Sequence, residues 1–324
     1  MEGFEMKKMS AEAKHKFIII MALILIWVAF SVMHPSYISY SNIMTILMST
    51  SVNGILALGV AWAIMTAGID ISIGTVMTFS CVCSGLFFNH GVPMVLSILL
   101  GIGVGALCGF VNGILIAKFS LPAMIATLSM QMITKGLSLV FSNLKPVYFL
   151  DSPWYQKIAS GNFLGINGFY NAIIIFAAVA FVSYILFDKT TFGRFTLAIG
   201  SNMEATRLSG IPVDKCLIRI YTVCGIYSAI AGVVMSSRLN SAQPALGPGY
   251  EMDAIAAAVI GGNSLSGGEG TIGGAVIGAL IISSIQNGLR IMQVSTESQS
   301  AIIGVVLIIA VATDQMSKKR NQNK

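Results

Sequence analysis

DKTTFGRFTLAIGSNMEATRLSGIPVDKCLIR, residues 188–219, is the one long polar passage between otherwise apolar segments, and it carries Lys189, Arg194, Arg207, Lys215 and Arg219. A short helix is written inside it. Ser201 and Glu204 match the S-x-x-E capping pattern, Gly210 supplies a left-handed stop, and Pro212 prevents resumption. Two turns of helix, about 12 Å long, cannot cross a bilayer. Such a passage is either a solvated loop or a docking helix shown to a partner, and its composition fits both.

The rest of the chain settles where that passage sits. With 55% hydrophobic and 10% charged residues and a mean hydropathy of +0.82, the sequence predicts an all-α, polytopic membrane helical bundle. Apolar segments lie at 17–33, 42–66, 71–88, 92–117, 122–141, 172–187, 217–237, 271–288 and 299–313. A further one at 251–262 is about half the length a span needs. The expectation is thus about ten transmembrane segments in one domain, 17–314, with 1–16 and 315–324 as cytoplasmic tails and 188–219 as a cytoplasmic loop. The first segment reads as an uncleaved anchor, with no clear small-residue cleavage site before His34-Pro35. On this threading 14 of the 19 Lys and Arg residues fall inside and 5 outside, the asymmetry of the positive-inside rule. The net charge of +6 is accounted for by topology and asks for no nucleic acid. Residues 142–171, with Tyr148, Trp154 and Tyr155, read as a segment lying at the interface.

Gly101, Gly105, Gly109 and Gly113 repeat every four residues, as do Gly270, Gly274 and Gly278. Glycine at this spacing lets two helices approach backbone to backbone. Asn53, Asn112, Thr127, Gln131, Gln286 and Asn287 fall at membrane depth, where a polar side chain needs a partner or water. Inter-helix hydrogen bonding accounts for any one of them. As a set of uncharged, two-sided hydrogen-bonders they suit a path for a polyhydroxylated neutral solute. Lys135 shares a helix face with Thr127 and Gln131 and must snorkel outward or meet water.

Two glycine-rich breaks interrupt the apolar pattern: AGIDISIGT at 67–75, with Gly68, Asp70 and Gly74, and IGGNSLSGGEGT at 260–271, with Gly261 and Gly262. Asp70 or Ser72 can cap the helix that follows the first. The second lacks the lysine of a phosphate-binding loop, and no catalytic triad, zinc spacing or dinucleotide fingerprint occurs. The five cysteines show no ligand spacing and read as small buried residues. The chain is expected to be no enzyme, to need no cofactor or metal, and to leave ATP hydrolysis to a partner.

GIDISIG, GFVNGILIAKFSLPAMIATL, GRFTLAIGSNMEATRLSGI and AAAVIGGNSLSGGEGTIGGAVIGA, taken in this order, resemble the ribose-type sugar permeases of bacterial ABC importers over residues 42–314. Branched-chain amino-acid permeases share parts of the layout. The resemblance implies a homodimeric membrane subunit, an ABC ATPase inside, a substrate-binding protein outside, and a monosaccharide such as ribose as cargo. It further implies that Ser201, Asn202, Glu204, Ala205, Arg207, Gly210 and Ile211 form a coupling helix docked on the ATPase. An amino-acid or nucleoside permease is the alternative within the class. An ion-coupled carrier, for which Asp70 is the sole deep acidic candidate, and a channel or scaffold are the rivals outside it.

Overall fold

The computed structural model describes residues 11–149 and 152–322. Thirteen α-helices make up most of the described chain. In order they are α1 (Ala11–Met33), α2 (Tyr40–Ile64), α3 (Ile73–Asn89), α4 (Met94–Ala117), α5 (Ala123–Phe141), α6 (Pro153–Ser160) and α7 (Asn171–Asp188). There follow α8 (Thr191–Ser201), α9 (Met203–Leu208), α10 (Val213–Leu239), α11 (Tyr250–Ile260), α12 (Ile272–Ile291) and α13 (Thr296–Gln322). Six of them, α2, α4, α5, α7, α10 and α12, are long and apolar enough to cross a membrane. Each of the other expected segments is also helical, but α3 and the apolar parts of α1 and α13 have at most 17 residues, and α11 has 11.

The helix at the centre is α2. It is apolar all round, and every residue from Thr50 to Met65 is buried, as befits a helix with no solvent or lipid face. Around it stand α3, α7, α10, α11 and α12.

The two glycine ladders explain how the ring closes. A Cβ on Gly105 would lie 2.5 Å from Gly225 O and 2.7 Å from Ala229 Cβ, and one on Gly109 would run into Tyr221 O. Gly113 packs on Ile218 in the same way, so α4 and α10 touch along their backbones. Gly101 instead faces Ser80 and Ser84 of α3. The second ladder sets Gly274 against Gly261 and Gly278 against Ala257 O, which fastens α11 to α12.

Residues 142–171 depart from the expected interfacial segment. Val147–Tyr148 and Ser241–Ala242 form a two-residue antiparallel ladder. Trp154 and Tyr148 are exposed as amphipathic anchors would be, but Tyr155 is fully buried and stacks on Phe149 at 4.2 Å between centroids. Its hydroxyl lies 2.6 Å from Ser236 Oγ, and Ser237 Oγ donates to its carbonyl at 2.6 Å. The segment is clamped to the end of α10 because the small hydroxyl pair there offers partners that a lipid interface does not.

Candidate functional site: a carboxylate–amide cluster and a glycine knot

The short helix α11 is bounded by glycine at both ends. Gly249 precedes it at φ 103° and Gly262 follows it at φ 88°, both left-handed positions that favour glycine. The start of α11 is only partly covered, with Pro248, Gly249 and Met252 exposed, but the acidic side chains of its first turn find partners within the protein. Glu251, only 5% exposed, reaches back to accept from Gly249 N at 3.0 Å. Its other oxygen, Oε1, accepts from Gln131 Nε2 of α5 at 3.0 Å. Asp253 Oδ2 accepts from Gln286 Nε2 of α12 at 2.8 Å. Gln286 Oε1 in turn accepts from Asn53 Nδ2 of α2 at 3.2 Å, with Ser283 Oγ also 3.4 Å from that nitrogen. Gln131, Gln286 and Asp253 remain half-buried. Two amides picked out from the sequence, Gln131 and Gln286, thus reach two carboxylates for which the sequence carries no expectation, and a third, Asn53, joins them through Gln286. Asp70 is therefore not the sole deep acidic group.

The other three expected path residues lie elsewhere. Asn112 Nδ2 donates to Ser72 Oγ at 3.1 Å, and Ser72 donates from both Oγ (2.6 Å) and N (2.9 Å) to Asp70 Oδ1. Thr127 Oγ1 donates to Ile69 O at 3.1 Å. These two staple the first break rather than join the cluster at α11. Asp70 is buried and organises the turn before α3, whose N-cap residue Ser72 makes no capping bond of its own. The left-handed residue of that turn is Ala67, at φ 61°, not Gly68. Gly68 is needed for space, since a Cβ there would strike Tyr221 Oη. A Cβ on Gly74 would lie 2.7 Å from Glu251 Oε2, so that glycine lets α3 approach the carboxylate cluster. Asn287 is buried on α12, and its Oδ1 has no hydrogen-bond partner among the described residues.

A second convergence joins the polar passage to both breaks. Gly268 N donates to Met65 O at 3.0 Å. A Cβ on Gly267 would lie 2.7 Å from Ala67 N and 2.8 Å from Gly200 O, and one on Gly268 would lie 3.0 Å from Ser201 N–Cα backbone. Three segments far apart in sequence meet here largely through backbone, with Ser201 Oγ and Ala67 Cβ the side-chain atoms that also close on Gly268 and Gly267.

The helix beyond this knot, α9, starts one residue later than expected. Ser201 continues α8, and Asn202, at φ −160°, is the N-cap, its Oδ1 accepting from Ala205 N at 2.9 Å. The Ser201–Glu204 capping box does not form. Gly210 stops the helix at φ 81° as expected. Thr206 Oγ1 ties α9 to Ala198 O at 2.8 Å, and Arg207 and Lys118 share Asp214 at 2.9 and 3.4 Å. Ser201, Asn202, Glu204, Ala205, Arg207 and Gly210 are all exposed, Ile211 is half-buried, and Leu208 is 84% exposed.

The family described as the permease component of the branched-chain amino acid transport system matches residues 42–311. The chain belongs to that permease family. This permease is 40% identical to the ribose import permease protein RbsC of Bacillus subtilis over 297 residues, 91% of each chain. It is 36% identical to the fructose import permease protein FrcC of Rhizobium meliloti, covering 93% of this chain and 85% of the relative. With the L-arabinose transport system permease protein AraH of Escherichia coli it shares 33%, over 91% and 88%. No solved structure matches the permease significantly. It is a multi-pass membrane protein of an importer system, and the long apolar helices are its spans.

Proposed function

We propose that this permease is the membrane subunit of a binding-protein-dependent ABC importer that carries a monosaccharide, ribose or a close relative, inward. The relatives named for ribose, fructose and arabinose import support a sugar over the branched-chain amino acid of the family description. The observation that carries the reading is the set of Asn53, Gln131, Gln286, Glu251 and Asp253, whose hydrogen bonds bring donors and acceptors from α2, α5 and α12 to the first turn of α11. A sugar hydroxyl can replace an amide at either carboxylate without any charge moving.

The chain crosses ten times in this reading, with α11 as a short eighth segment and both termini, α8, α9 and the two glycine breaks on the cytoplasmic side. The face around Ser201–Ile211 docks on an ABC ATPase, two permease copies frame the path, and an external binding protein delivers the solute. The permease supplies no bond chemistry.

Reconstituted with its ATPase and binding protein, the permease should take up labelled ribose or a related pentose only with internal ATP. Glu251→Ala and Gln131→Leu should each cut uptake per assembled complex at least about tenfold, equivalent to losing one good hydrogen bond to a charged group. Wild-type uptake in both variants would remove the path from α11.

The buried carboxylates favour one second reading more than the sequence did, an ion-coupled carrier. Uptake that survives a protonophore and stops on ATP depletion decides against it; the reverse pattern decides for it.

A further inference from the structure

A groove of about 560 Å³ opens on the outer surface between α4, α7, α8 and α10, within the size range of about 300–1,000 Å³ typical of small-molecule sites. Its walls are apolar, from Phe110, Leu186, Phe192 and Ile218, and its rim carries Lys215 and Arg219. The two cations sit one turn apart on α10, on one face of the helix. Lys215 lies in the first turn, where the helix dipole is itself positive and adds to its field instead of offsetting it. No carboxylate neutralises them among the described residues. Asp214, the adjacent acid, is turned away and held by Arg207 and Lys118 at 2.9 and 3.4 Å. From Lys215 the apolar lining continues along α10 to Val223, about 12 Å by helical rise. Three of the four helices are of membrane-spanning length, and Phe110 of α4 is exposed on the outside of the bundle.

An uncompensated pair of cations along the rim of an apolar trough is the complement of an amphiphile with an anionic head. We infer that this groove is a specific site for an anionic phospholipid, its phosphate held by Lys215 and Arg219 and one acyl chain lying along Phe110, Leu186 and Ile218. Basic pockets between membrane helices select anionic headgroups for this reason, and each cation near the membrane surface adds about a fivefold factor in binding. The groove is remote in sequence from Glu251 and Asp253, and the inference is independent of the solute carried.

The test uses the full chain purified in detergent and offered equal amounts of dioleoylphosphatidylglycerol and dioleoylphosphatidylcholine, with bound lipid counted by native mass spectrometry. Wild type should retain phosphatidylglycerol over phosphatidylcholine by about tenfold or more. The K215Q/R219Q double variant should retain the two lipids equally, whereas K215R/R219K should keep the preference. Leu186→Trp, which narrows the apolar end and leaves both cations, should lower retention of both lipids and covers the case in which the neutral variant does not fold. No preference in wild type, or the same preference in K215Q/R219Q and undiminished retention in Leu186→Trp, overturns the site. Loss of a co-purifying ATPase from K215Q/R219Q with the lipid preference intact also overturns it, by giving the cations to that partner.

Discussion

The helices α9, of 6 residues, and α11, of 11, are each too short to cross a bilayer, yet they end in opposite surroundings. In α9 only Thr206 is buried, and its cap is a single exposed asparagine. In α11 seven residues are buried, and its first turn draws in side chains from α5 and α12, the latter backed by Asn53 of α2. The contrast follows from where each helix ends. Free N–H groups at the end of an exposed helix are served by water, and those at the end of a buried one have to be served by the protein. At α11 the N–H groups of the helix start are met by Glu251 and by the carbonyls of Gly247 and Gly249, while Gln131 and Gln286 donate to the acids of the first turn.

The comparison can be broken most severely at the α11–α12 seam. Gly278→Leu drives a side chain into Ala257 O and should cost about 3 kcal/mol or more, seen as loss of the folded peak in detergent chromatography. Gly273→Leu on the same helix meets nothing within 4 Å and should leave the melting temperature unchanged; equal loss in both would mean that propensity, not the seam, decides.

Next in size is Glu251→Ala. It strands Gln131 Nε2 and Gly249 N, and should destabilise the protein by about 1–3 kcal/mol in thermal melts, besides its effect on uptake. A smaller effect is expected at the exposed helix. Asn202→Ala should cost about 1 kcal/mol of local stability, read as faster amide exchange across α9. Ser201→Ala should leave exchange unchanged, and the reverse ranking would restore the capping box at Ser201. Leu208→Ser, at an 84% exposed position, should shift stability by less than about 0.5 kcal/mol. If α9 is the docking face, that variant loses the co-purified ATPase all the same.

Apolar runs gave the long helices, because burial in lipid and in the core both read as hydrophobicity, and the glycine ladders gave the α4–α10 and α11–α12 seams. The amides at Asn53, Gln131 and Gln286 were legible as polar groups at depth, but their partners were not. Glu251 and Asp253 stand at the edge of an apolar segment, where an acidic residue also fits an exposed helix start, and only the fold reveals that their side chains meet α5 and α12. The pattern Gly247–Gly249 followed by two acids is the signal that could have found them. The cap of α9 was misplaced by one residue because Ser201 and Asn202 are both good caps, and the choice depended on α8 continuing through Ser201 to pack its Gly200 on Met65. Tyr155 was assigned to an interface since nothing in its own neighbourhood announces Ser236 and Ser237, about eighty residues away.

The knot of Gly200, Gly267, Gly268 and Met65 has a mechanical consequence. Side chains are the compliant part of a protein contact, since they swing between rotamers and absorb small displacements. Where peptide planes abut directly, as Gly200 does against Met65 and Gly268, that slack is missing. A thrust delivered at α8 is passed undamped into the end of α2 and into the loop from which α12 rises. The joint works as a rivet between three levers, and its play is set by the atoms that glycine leaves out.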